Sequence, residues 1–239
     1  MMNTVAEEHS TLAVVFPGQG SQAVGMLSDL AGTSPQVADT FAQASEVLGY
    51  DLWQLVQDGP AEELNQTSRT QPAMLAAGVA VWRAWQAHGG ATPAVMAGHS
   101  LGEYTALVCA GALQFGDAVA LVAERGRCMQ SAVPEGVGAM AAILGLDDAT
   151  VAGVCETAAQ GEVVSPVNYN SPGQVVIAGH AAAVERATLL AKEAGAKRAV
   201  LLPVSVPSHC SLMMSAATEF SARLAQVEIT SPRIPVIQN

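Results

Sequence analysis

The residues Gly98-His99-Ser100-Leu101-Gly102 form G-x-S-x-G, the pattern of a serine nucleophile carried on a sharp strand-to-helix turn. Glycines on both sides allow a turn tight enough to project the Ser100 hydroxyl, and the Leu101 N–H points toward the same spot. A carbonyl carbon placed there would meet a nucleophile and one oxyanion donor, the requirements for acyl transfer through a covalent acyl-serine. The plainer reading is a serine that caps the following helix.

A serine nucleophile needs a base, and the chain offers His9, His88, His99, His180 and His209. His9 lies in a polar terminus, His88 at a helix end before Gly89-Gly90, and His180 at a turn entering a helix. His99 adjoins Ser100, but neighbours in a sharp turn diverge. His209 follows the apolar run 199–206, in the kind of loop where α/β folds gather functional groups. With no Asp or Glu close behind it, the expectation is a Ser100–His209 dyad rather than a triad.

Two further features bear on chemistry. Along 115–132, Phe115, Ala118, Val119, Val122 and Met129 form an apolar stripe at helical spacing, and Arg125 falls on it. An inward guanidinium needs an anion: either a carboxylate of this chain or a substrate carboxylate gripped in bidentate fashion. Arg127 is expected on the solvated side. Near the N-terminus, "VVFPGQGSQA" contains Gly18-x-Gly20-x-x-Ala23, which matches a dinucleotide fingerprint. That fingerprint requires a second strand ending in an acid about 20 residues on. The acids near that distance, Asp39 and Glu46, lie in a segment of helical periodicity, so the pyrophosphate reading is disfavoured.

These residues must be positioned by an α/β framework. The run 11–16 and "PAVMAG" (93–98) read as buried strands; 35–48, 72–88 (opened by Pro72), 101–111 and 115–132 read as helices. From 136 the order is strand, helix, strand, a turn at Ser171-Pro172-Gly173, strand, helix, strand, which is the ferredoxin-like split unit. The expected boundaries are 1–132 and 205–239 for a discontinuous body and 133–204 for the insert. A loop and helix follow, and "RIPVIQN" reads as a last strand.

Composition sets the outer limits. A 239-residue chain that is 50% apolar can bury a sizeable core, and a formal charge of −11 disfavours nucleic-acid and anionic-membrane partners. Cys109, Cys128, Cys155 and Cys210 have neither zinc-ligand spacing nor a disulfide framework and are expected as buried free thiols. The start "MMNTVAEEHS" lacks the pattern of a signal peptide and no run is long enough to span a membrane, so a soluble, cytoplasmic protein is expected.

The blocks "FPGQGSQ", "GHSLGEYTALV", "ERGRCMQ", "VPEGVGAMAAILG", "NYNSPGQVVIAG" and "PVSVPSHCSLM" resemble, in order, the malonyl-CoA:acyl-carrier-protein transacylase family. The resemblance implies an α/β-hydrolase-like body with an inserted ferredoxin-like subdomain, Ser100 as acylated nucleophile and His209 as its base. It further implies an oxyanion hole built from the backbone N–H groups of Gln19 and Leu101, and pairing of Arg125 with the malonyl carboxylate. Asn168 and Asn170 match a loop near the family's cleft without an assigned role. Malonyl-CoA and acyl carrier protein are the implied partners, and no metal or tightly bound cofactor is called for. The fatty-acid or polyketide setting stays open. Family members continue beyond "IPVIQN" with a segment that helps orient the histidine and close the body; a chain ending at Asn239 is expected to lack that support. Competing readings are a serine hydrolase or thioesterase using the same pair on water, and a catalytically silent docking module of a larger synthase.

Overall fold

The computed structural model describes residues 11–204 and 206–238. The N-terminal decapeptide, with His9, and positions 205 and 239 lie outside the described residues. Two compact units partition the chain: one comprises the residues up to Leu64, Thr70–Ala123 and Val227 onward, the other Asn65–Arg69 and Glu124–Gln226.

The first unit is an α/β-hydrolase-like body around a short parallel sheet. Its strands are β1 (Ala13–Phe16), β2 (Val95–Gly98) and β7 (Val236–Ile237), in the order β1-β2-β7. Between β1 and β2 run α1 (Ser28–Ala31), α2 (Pro35–Leu48), α3 (Leu52–Asp58), α4 (Ala61–Leu64) and α5 (Thr67–Ala87); α6 (Gly102–Cys109) and the start of α7 (Phe115–Ala132) follow β2. Phe16, Trp82, Met96, Ala106 and Ala110 form a buried cluster joining sheet and helices. Asp39 and Glu46 both lie on α2, so the strand that a dinucleotide site needs after the glycine loop is a helix here.

One helix start differs from expectation. Pro72 lies inside α5, which already begins at Thr67. Tertiary contacts hold the extra turn despite the missing proline donor. The Thr67 N–H donates to Gln130 Oε1 (3.2 Å), and Gly126 lets α7 approach so closely that a Cβ there would sit 2.7 Å from the Ser68 Cα. The Thr70 hydroxyl donates to the Leu64 carbonyl at 2.6 Å.

The second unit carries the ferredoxin-like order: β3 (Gly138–Leu144), α8 (Asp148–Ala159), β4 (Val164–Ser171), β5 (Gln174–His180), α9 (Ala181–Glu193) and β6 (Arg198–Leu201). The antiparallel sheet runs β4-β5-β3-β6. Period-two alternation divides its faces. Ala141, Ile143, Val175 and Ile177 pack under α8 and α9, while Met140, Val176 and Ala178 face the other way against Cys210. The last strand of this sheet is short, pairing with β3 only from Arg198 to Leu201. A 3-10 turn (Ser211–Met213) then leads into α10 (Met214–Leu224).

Candidate active site

The body brings two loops to one sheet edge. Because β1 and β2 are parallel neighbours with Phe16 opposite Gly98, the glycine loop and the Ser100 turn both leave the carboxyl ends of adjacent strands. Such edges are where α/β sheets place ligands. The His99 N–H donates to the Phe16 carbonyl (3.0 Å), and the Gly102 N–H folds back onto the His99 carbonyl (2.9 Å).

Glycine is sterically required in this assembly. A Cβ on Gly98 would run into the backbone of Gly102 and Glu103, and one on Gly102 would run into the Phe16 carbonyl. A Cβ on Gly18 would lie 2.7 Å from the His99 carbonyl oxygen. The loop and the elbow are therefore interlocked, backbone against backbone. Ser100 itself sits at φ +51°, in the left-handed region that a non-glycine residue adopts only when its surroundings enforce it. Leu101, buried, stands at the N-cap of α6; among the described residues its N–H donates to no partner, as the first donors of a helix do not.

Gln19 lies between Gly18 and Gly20. Gly20 has φ +105°, and its N–H donates to Gln22 Oε1 at 2.8 Å. Gln22 thus pins the loop that carries Gln19, a role sequence reasoning missed. The available signal was a side-chain amide two residues beyond a glycine turn.

Arg125 and His209 belong to the second unit. The stripe expected on α7 is present: Ala118, Val119 and Val122 are fully buried, Phe115 and Met129 nearly so, and Arg125 is half-buried. Arg127 is exposed as expected, but it is not merely solvated. Its Nη2 donates to Glu124 (2.7 Å) and Glu219 (2.5 Å), tying α7 to α10. The Arg127 hydrogen bond holds the Glu124 carboxyl below the usual carboxylate range. Glu124, Cys128 and Glu219 come within metal-ligand reach of one another, but the Arg127 guanidinium already bridges the two carboxylates.

His209 is exposed at φ +66°. Its neighbours fix it. Pro207 packs on Gly138, where a Cβ would collide with the proline ring. The Cys210 thiol donates to the Pro207 carbonyl (3.1 Å) and is buried against β3 and β5. Burial pushes that thiol's pKa up, so Cys210 serves as an anchor beside His209 rather than as a second nucleophile. Val206 and Met213 flank the turn and pack on Cys128 and Met129 of α7 and on Val133 just after it, so the helix carrying Arg125 and the loop carrying His209 share one core.

Other described histidines have structural partners or positions. His88 Nε2 lies 3.1 Å from Ser34 Oγ at the N-cap of α2, and His180 Nδ1 accepts the Val163 N–H (2.9 Å). His99 is exposed on the elbow. Asn168 and Asn170 lie on β4 where its register with β5 shifts. All four cysteines are free thiols.

A family model described as "Acyl transferase domain" matches residues 13–239. The malonyl CoA-acyl carrier protein transacylase of Escherichia coli (strain K12) is 65% identical over 227 residues, which cover 95% of this chain and 74% of that protein. The protein of the same name from Bacillus subtilis (strain 168) is 47% identical over 231 residues, 96% of this chain and 73% of its own. Among solved structures, an acyl carrier protein S-malonyltransferase from Vibrio cholerae aligns with a TM-score of 0.90 at 68% identity, covering 95% of this chain and 74% of that one. A malonyl-transacylase solved in complex with its type II PKS acyl-carrier protein aligns with a TM-score of 0.93 at 61% identity over the same shares.

Proposed function

The chain belongs to the acyl transferase domain family, and from that premise we propose that it works through a malonyl-serine intermediate at Ser100. The activity is transfer of the malonyl group from malonyl-CoA to acyl carrier protein. The observation that carries the serine assignment is the interlocked strand edge, where the Gly98 and Gly102 close approaches force Ser100 into φ +51°.

In this reading His209 takes the Ser100 Oγ proton as Oγ attacks the thioester carbonyl. The N–H groups of Gln19 and Leu101 stabilise the tetrahedral oxyanion. The C–S bond breaks, His209 returns the proton to the CoA sulfur, and malonyl-Ser100 remains. The phosphopantetheine thiol of the carrier protein then attacks in the reverse sense, its proton passing through His209 to Ser100 as the ester bond breaks. Arg125 pairs with the malonyl carboxylate, for which a guanidinium fork is well shaped. Every step uses groups of the chain and its two substrates. The malonyl-carrier protein so formed supplies chain elongation in fatty acid biosynthesis.

We place the ferredoxin-like subdomain at 133–204 and the body at 1–132 and 205–239. Lys192, in the last turn of α9, and Lys197 and Arg198, where β6 begins, are exposed cations on an otherwise acidic chain. They are our candidates for steering an acidic carrier. Among the described residues no helix is long and apolar enough to cross a membrane. The four free thiols suit a reducing compartment, and the cytoplasm is the one we propose. The test is transfer from malonyl-CoA to the holo carrier protein. Wild-type protein should form malonyl-carrier and Ser100→Ala should not; undiminished transfer by Ser100→Ala would remove the serine from the mechanism.

A further inference from the structure

The first unit contains a cavity, about 440 Å³ in volume, lined in part by Thr92, Gly111, Arg233 and Ile234. Thr92 precedes β2 and Ile234 precedes β7, so this cavity lies at the amino ends of the parallel strands, whereas Ser100 follows their carboxyl ends. Two arginines line it, Arg83 and Arg233. Arg83 Nη1 donates to Thr40 Oγ1 (2.9 Å) and Gln43 Oε1 (3.2 Å), and the guanidinium lies 4.7 Å above the Phe115 ring. The Arg233 N–H donates to the Ala110 carbonyl (2.8 Å), and its side chain crosses Gly111, where a Cβ would sit 2.6 Å from Nε.

The chain has a formal charge of −11, and cations such as Arg127 and Arg186 find carboxylates within 2.7 Å. Arg83 and Arg233 do not: among the described residues neither forms an ion pair, and Asp39 acts on Arg83 only from beyond ion-pair distance. Gln86, Gln114 and Thr92, whose side chains can donate without charge, belong to the same lining. Two arginines that line one cavity and form no ion pair are favourable partners for an anion with several oxygens that fills it.

We propose that this cavity binds a phosphate group, gripped by Arg83 and Arg233, at a site separate from the acyl-transfer chemistry. The group could arrive as free phosphate or as a small phosphate monoester. Calorimetric titration of the whole protein with inorganic phosphate and with glycerol 3-phosphate, at constant ionic strength, distinguishes the two sources by which one binds more tightly. Saturable one-to-one binding on the order of 1 mM or tighter is expected, weakened roughly tenfold in Arg233→Gln and in Arg83→Gln. Ser100→Ala should bind phosphate as the wild type does, and Arg233→Gln should transfer malonyl groups normally. Arg233 is exposed, so its variant decides the matter even if Arg83→Gln folds poorly. Equal binding by wild type and Arg233→Gln, or equal competition by chloride and acetate, would overturn the proposal.

Discussion

Gln19 contributes its main chain to the proposed chemistry, and that makes the residue unusual to test. Gln19→Ala should keep most of the transfer rate, because the N–H survives. Gly20→Val meets no steric obstacle but must hold φ +105°, so the loop should rearrange and the rate should fall by roughly a hundredfold or more, the scale of losing one oxyanion donor. Steady-state rates for the two variants check this, and the reverse ranking would assign the role to the Gln19 side chain. Arg125→Ala should slow malonyl transfer by roughly a hundredfold while leaving acetyl transfer nearly untouched, since only the malonyl group has a carboxylate to lose. Equal losses with both acyl-CoA substrates would contradict that assignment. The strand-turn-helix around Ser100 was legible because G-x-S-x-G lay between an apolar run and a helical period. Gln22 was not, since a local hydrogen bond to the Gly20 N–H leaves no periodic trace. Nor was Arg127, whose partner Glu219 is distant in sequence.

At the scale of elements, the site depends on how closely α6 approaches the end of β1. Gly102→Ala would push a methyl group into the Phe16 carbonyl and should cost about 1–3 kcal/mol of stability, together with acylation. Urea denaturation and a burst assay on the same preparation would measure both; wild-type stability and burst would show that the close approach is dispensable. Long elements with strong periodicity could be read directly: α7 spans 115–132, and the β-α-β-β-α-β order of the second unit follows from alternating periods of two and 3.6. The short helices α1, α3 and α4 fell below the length at which periodicity speaks. For α3, the local signal was the Asp51 side chain accepting the Gln54 N–H. Pro72 misled because tertiary packing around Thr67 outweighed a local breaker.

At the scale of the whole molecule, a chain of charge −11 must receive an acidic carrier, so local rather than net charge has to guide docking. Reversing Lys192, Lys197 and Arg198 to Glu should raise the KM for carrier protein and weaken its salt dependence, with the malonyl-CoA half-reaction unchanged. Unaltered carrier kinetics would move the docking surface elsewhere. The central claim is that a malonyl group rests on Ser100 between two transfers, and intact-mass spectrometry after mixing with malonyl-CoA tests it most directly. The expected result is a stable gain of one malonyl group, absent in Ser100→Ala and discharged when holo carrier protein is added. An unmodified mass with no malonate released, or an adduct that persists in Ser100→Ala, would contradict it.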